Sequence, residues 1–256
     1  MIEIPALPRG LVTELHERAD SARAEAIRRA RAGADEGTLV VVERPTAPVG
    51  RHGEAWLLSE SPGLHAALVL RPGLPATECA ELAPAAAVAL GRATGELVEP
   101  MTELHYRWPN DVLLDHGKAA GIWLDGGGTP EAVEWLVVSW SVNVDAAPES
   151  LGHGAAALAR EGRREAPAAG ELLQAVVREL LASITTWDES GFGAILRNWR
   201  GRIALDAPVS IRTADGGPVE GEAARVDEAG ALVVRREDGE RTLALNDFFG
   251  LPGEAA

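Results

Sequence analysis

Two short stretches carry the residues best suited to chemistry. Arg107-Trp108-Pro109-Asn110-Asp111 sets a guanidinium, an amide and a carboxylate around one proline, and Gly117-Lys118-Ala119-Ala120-Gly121-Ile122 follows shortly after. The proline fixes a turn, so the side chains of Asn110 and Asp111 either face a ligand or cap that turn. Lys118 stands among small residues, which leaves room for a phosphate or carboxylate to approach its ammonium. On pattern alone, the plainer account is a Pro-Asn-Asp turn followed by a solvated lysine.

Charge narrows the choice of partners. Lys+Arg number 24 and Asp+Glu 39, a formal net charge of −15. Such a surface repels a phosphate backbone, which excludes nucleic acid better than it excludes a single nucleotide held by backbone amides and a few cations. Cys79 is the lone cysteine, so no intrachain disulfide or multi-cysteine metal site is available, and its Ala-rich setting suits a buried thiol. His16, His65, His105, His116 and His153 show no paired metal spacing, and His52 reads as a solvated loop residue, so no resident metal is expected. A Ser/His/Asp triad is recognised by geometry and cannot be assembled from this sequence. The start, Met1-Ile2-Glu3-Ile4-Pro5, lacks the basic and apolar regions of a signal peptide, and no run approaches ~18 uninterrupted apolar residues. A cytoplasmic protein without membrane contact is the expectation.

The elements that must position these residues are readable in outline. Ser21 to Ala32 has the spacing of a surface helix with Gly33 after it. Thr38 to Val42 is a β-branched strand, Leu64 to Leu70 another, and residues 77–94 an Ala-rich helix. Strands around Leu104-His105-Tyr106 and Val112-Leu113-Leu114 precede an Asp115-His116-Gly117 turn, and the chain returns through Ala119 to Leu124. Gly126-Gly127-Gly128 reads as a flexible turn before the strand Val133 to Val144. A long helix from about Ala169 to Ser190 and a short one ending near Trp199 follow. Beyond Gly201, four short strand-like runs with Gly-containing turns suggest a small SH3-like β-barrel. The expected class is α+β: residues 1–200 as a mixed sheet packed by helices, and 203–252 as the barrel.

These motifs together resemble the biotin/lipoate protein ligase family, whose signatures read Lys/Arg-Trp-Pro-Asn-Asp and Gly-Lys-(Leu/Ala)-Ala-Gly-Ile. Ser61-Pro62-Gly63-Leu64 is similar to the family's Ser-Pro-Gly-Gly-Leu, Val142-Asn143-Val144 to the end of its Gly-Ile-Gly-Ile-Asn-Val strand, and Leu158 stands where an Ala-Thr-Ser-Leu run is usual. The resemblance covers nearly the whole chain and lacks the N-terminal DNA-binding domain of some members. It implies a two-step reaction. A biotin carboxylate attacks the α-phosphate of ATP to give biotinyl-AMP and pyrophosphate, and a lysine of a biotin carboxyl carrier protein then takes the acyl group. It also implies Lys118 and Arg51 as the principal cations, and Gly50, Trp56, Asn110, Asp111 and Asn143 around the nucleotide. Mg²⁺ would accompany ATP as co-substrate. Ser21, Thr46 and Gly121 would lie around biotin, and a homodimer is expected because members of the family often pair.

Departures from the family pattern concentrate in one loop. Pro45-Thr46-Ala47-Pro48-Val49-Gly50-Arg51-His52-Gly53-Glu54-Ala55-Trp56 stands for Gln-Thr-Ala-Gly-Arg-Gly-Arg-x-x-Arg-x-Trp. Pro45 cannot make a glutamine's hydrogen bonds, Pro48 removes a backbone donor, and Glu54 reverses a charge where phosphates would sit. Asp20-Ser21-Ala22-Arg23 replaces Asp-Ser-Thr-Asn. Ser139, Trp140 and Ser141 replace the residues before Asn143, with Trp140 either narrowing the ligand slot or facing the core. Two other readings therefore stand beside biotin ligation: a weakened member that binds a small acid or nucleotide, and a ligase for another acid such as lipoate or octanoate.

Overall fold

The computed structural model describes residues 2–49, 63–98, 101–148, 154–159 and 166–252. A seven-stranded sheet forms the large unit, in the spatial order β1 (Val12–Ala19), β2 (Thr38–Pro45), β3 (Gly63–Leu70), β7 (Ala132–Asn143), β6 (Gly117–Thr129), β5 (Asp111–Leu114), β4 (Leu104–Arg107). β1 and β2 run parallel and the other neighbours antiparallel, so the sheet is mixed, as expected. Helix α1 (Ala22–Arg31) covers one face through Ala22, Ala26 and Ala30 against Val40, Val42, Ala67, Val69 and Val137. Helices α2 (Ala76–Cys79), α3 (Leu82–Gly95), α4 (Ala169–Ser190) and α5 (Phe192–Arg200) build the larger core on the other face.

The residue pattern explains both layers. The Thr38–Val42 run is buried throughout because the central sheet is covered on both faces. α3 is so rich in alanine that it is buried almost along its whole length. Trp140 and Trp199 are fully buried in the large core. Trp140 thus faces the core and leaves the opposite face of β7 to Ser139 and Ser141. Cys79 is buried there as expected, and burial pushes its thiol up to about 11.

Two local expectations differ, and two elements stand where none was stated. Val12–Ala19 forms a strand whose charged, half-exposed residues mask its period because it lies at a sheet edge. Gly126, Gly127 and Gly128 continue β6 and do not turn, since the reversal comes at Pro130-Glu131. A Cβ at Gly127 would stand 2.5 Å from the Trp135 ring, so glycine there serves close packing and not flexibility. The helix expected over 77–94 is divided into α2 and α3. Leu245–Phe249 is a short helix, α6, after the last strand.

The C-terminal unit is a four-stranded antiparallel sheet, β8 (Pro208–Arg212), β9 (Pro218–Val226), β10 (Leu232–Arg236) and β11 (Gly239–Leu243), followed by α6. It is tied to the large sheet near the turn before β5. Trp108 Nε1 donates to the Gly230 carbonyl at 2.9 Å, and the Trp108 ring meets Phe248 edge-on at 5.7 Å. No helix among the described residues is long and apolar enough to cross a membrane.

Candidate active site

Strands β5 and β6 carry the first half of the site. Asn110, buried at the turn before β5, donates its amide to the Ile122 carbonyl at 2.6 Å and accepts from the Ile122 N–H through its own backbone carbonyl at 2.9 Å. That double tie fixes Asp111 at the head of β5, opposite Gly121. Lys118 reaches across so that its Nζ lies 2.6 Å from Asp111 Oδ1, while Arg107 approaches the other carboxylate oxygen at 3.8 Å. Gly121 makes this possible: a Cβ there would meet Lys118 Cε and Nζ at 3.2 Å. Lys118, Asp111 and Gly121, singled out in the sequence, are therefore brought together.

Asn143 ends β7 beside them. Its amide donates to the carbonyls of Lys118 (3.3 Å) and Ala156 (3.0 Å), and its backbone carbonyl accepts from the Leu158 N–H at 3.0 Å. Gly117 lets that segment approach, since a Cβ would stand 2.7 Å from the Ala155 carbonyl. The donors of Asn143, like the one that Asn110 directs at Ile122, are thus committed to backbone. A ligand at Asn143 would be met by the amide oxygen.

The second half is a slot between α1 and the sheet, enclosing roughly 350 Å³ with the space open to solvent included. Its polar lining comes from Ser21, Arg23, His65, Ser139 and Ser141, and Trp123, Pro45, Pro48 and Val49 supply apolar wall. Ser21 is the N-cap of α1, its Oγ accepting from the Ala24 N–H at 3.0 Å, as a serine before a helix should. Thr46 is exposed, and its hydroxyl donates to the Ala19 carbonyl at 3.1 Å, outside the slot lining. Gly50, Arg51, His52, Glu54 and Trp56 lie outside the described residues, as do Ser61 and Pro62.

Three features of the slot were not foreseen. Arg23 forms a two-pronged ion pair with Asp125, 2.7 Å at each contact, and also donates to the Val49 carbonyl at 3.3 Å. His65 is buried, its Nδ1 lies 2.9 Å from Ser141 Oγ, and burial pushes its pKa down to about 4, so it is neutral near pH 7. Ser139 is buried with its Oγ unpaired among the described residues. The alternation of β7 carries the signal for the last two: once Trp140 faces the core, Ser139 and Ser141 must face α1. Away from the slot, Glu14, His16 and Glu25 stand close enough to share an ion, but Glu25 is held by Arg28 and Arg29 and Glu14 by Arg29.

Residues 7–201 match the biotin/lipoate A/B protein ligase family, and residues 205–249 match the biotin protein ligase C-terminal domain. The chain is similar to a biotin–[acetyl-CoA-carboxylase] ligase of Paracoccus denitrificans, 34% identical over 247 residues, covering 91% of this chain and 98% of the relative. A ligase of the same name from Mycobacterium tuberculosis is 30% identical over 234 residues, with 88% and 83% covered. In fold it is similar to the biotin protein ligase of Aquifex aeolicus in complex with biotin and ATP, with a TM-score of 0.74, 22% identity, and 91% and 95% of the two chains covered.

Proposed function

The chain belongs to the biotin/lipoate A/B protein ligase family, and from that premise we infer that it activates biotin with ATP and transfers it to a carrier-protein lysine. The observation that carries this reading is the Lys118–Asp111 pair, seated over Gly121 on the same sheet face as the slot.

In the first step a biotin carboxylate oxygen attacks the α-phosphorus of ATP, the bond to the β-phosphate oxygen breaks, and pyrophosphate leaves. Two anions must meet, so the catalyst has to hold and neutralise them. Lys118 supplies the ammonium for the carboxylate and α-phosphate, and Asp111, 2.6 Å from its Nζ, keeps it aimed until they arrive. Arg51 is assigned the second cation by the family motif. Magnesium enters with ATP, and Asp111 is the carboxylate beside Lys118 that suits its preference for oxygen. In the second step the carrier lysine's amine attacks the acyl carbonyl, AMP departs, and an amide forms. The names of the relatives make the acetyl-CoA carboxylase carrier the first acceptor to try.

The test is acid-dependent exchange of pyrophosphate into ATP with biotin, lipoate and octanoate, on the wild type and Lys118→Ala. Exchange with biotin that vanishes in the variant supports the reading. Exchange with another acid alone would replace biotin by that acid, and silence with all three would leave only a binding role.

A further inference from the structure

The slot holds polar groups to which the reaction just described gives no task. Ser139 is 2% exposed, and its Oγ has no hydrogen-bond partner among the described residues. It stands on β7 between Trp123 of β6 and Ala67 of β3, on the face that α1 covers. Ser141 lies two residues along the same face, opposite His65, with its Oγ 2.9 Å from His65 Nδ1. Buried polar groups in native folds are almost always paired, so an orphaned hydroxyl on a slot wall points to a group that completes it. Pro45, Pro48 and Val49 offer no side-chain hydrogen bond, while Ser21 Oγ already accepts from the Ala24 N–H and Arg23 is paired with Asp125.

We propose that Ser139 Oγ and the His65–Ser141 pair read the head of the acid substrate, selecting a cyclic urea over an acid that ends in hydrocarbon. The assignment rests on the ligase reading above and adds to it the residues that set specificity. A urea presents two N–H donors and one carbonyl acceptor. A serine hydroxyl gives or accepts, and a neutral imidazole offers one donor and one acceptor, so the two sets match. His65 is held neutral by burial, so near pH 7 one ring nitrogen donates and the other accepts, with Nδ1 engaged by Ser141 Oγ. A hydrocarbon end pressed against Ser139 would leave the buried hydroxyl unpaired. Sites built for hydrogen bonds reject such analogues strongly, whereas apolar pockets reject an added polar group only weakly.

Equilibrium binding of biotin, desthiobiotin and octanoate to the wild type and Ser139→Ala tests this. Desthiobiotin keeps the urea and loses the thioether ring; octanoate lacks both. Loss of one neutral hydrogen bond is expected to weaken biotin and desthiobiotin by about five- to tenfold, with octanoate and the KM for ATP unchanged. An equal change for all three acids, or none, overturns the assignment. The variant deletes a single oxygen, and a thermal melt checks its fold. Should it melt early, Ser139→Cys keeps the volume with a poorer donor and must show the same order of effects. A wild type that exchanges pyrophosphate with biotin, together with a variant that keeps the biotin-to-octanoate ratio, refutes this assignment alone. A wild type silent with biotin refutes the ligase reading beneath it as well.

Discussion

Lys118 Nζ and Asp111 Oδ1 stand 2.6 Å apart across the β5–β6 hairpin, and Gly121 is the residue that lets the lysine lie there. A methyl at position 121 would meet Lys118 Cε and Nζ and the Trp123 ring, all at 3.2 Å. Gly121→Ala is therefore expected to shift the ammonium by a few tenths of an ångström. Misplacement of that kind should lower biotin-dependent pyrophosphate exchange about tenfold or more, with a stability cost near 1 kcal/mol. Unchanged exchange in a folded variant would remove Gly121 from the account.

Asn143 ties residues 154–159 to β6 through two amide donors. Asn143→Ala removes the amide donor to the Ala156 carbonyl, while the Lys118 carbonyl keeps the Ala156 N–H, and should destabilise by about 1–2 kcal/mol. Hydrogen exchange should rise first at Ala156 and Leu158, whose N–H groups lie in that junction. Uniform exchange across the sheet would assign Asn143 a different part.

Arg23 and Asp125 form a bidentate pair with about a fifth of each side chain exposed, and Arg23 also reaches the Val49 carbonyl. Urea unfolding of Arg23→Gln, Asp125→Asn and the double variant should give a coupling of about 1–3 kcal/mol, since two-pronged charged hydrogen bonds exceed ordinary surface pairs. A coupling near zero would make the pair incidental.

His65 gives a pH signature. Its folded pKa is about 4, below its ordinary 6.5, because burial disfavours the charged ring. Between those values the unfolded chain binds the proton that the folded chain refuses. Its contribution is complete above about pH 6.5 and is lost as pH falls toward 4, by about 3 kcal/mol in all. Subtracting the stability curve of His65→Gln from that of the wild type should expose this slope. Parallel curves would show that His65 is charged or solvated in the fold.

Legibility in the sequence followed local chemistry. The Trp-Pro-Asn-Asp turn and the Gly-Lys-Ala-Ala-Gly stretch are contiguous, so Lys118, Asp111 and Gly121 could be named before their contacts were known. Arg23 and Asp125 are 102 residues apart and meet only because α1 crosses β6, which no spacing announces. His65 and Ser141 are cross-strand partners in β3 and β7, so their pairing needs the sheet order. The charged residues of an edge strand hide β1, and a glycine that admits a ring, as Gly127 admits Trp135, is indistinguishable in sequence from a glycine that turns.

The central claim is transfer of biotin to a carrier lysine by the site around Lys118. Intact-mass analysis of an acetyl-CoA carboxylase carrier domain, incubated with the full chain, ATP, Mg²⁺ and biotin, tests it most directly. One added biotinyl group is expected with the wild type, and transfer at least about a hundredfold slower with folded Lys118→Ala. An unmodified carrier with the wild type, or equal modification by both proteins, would contradict it.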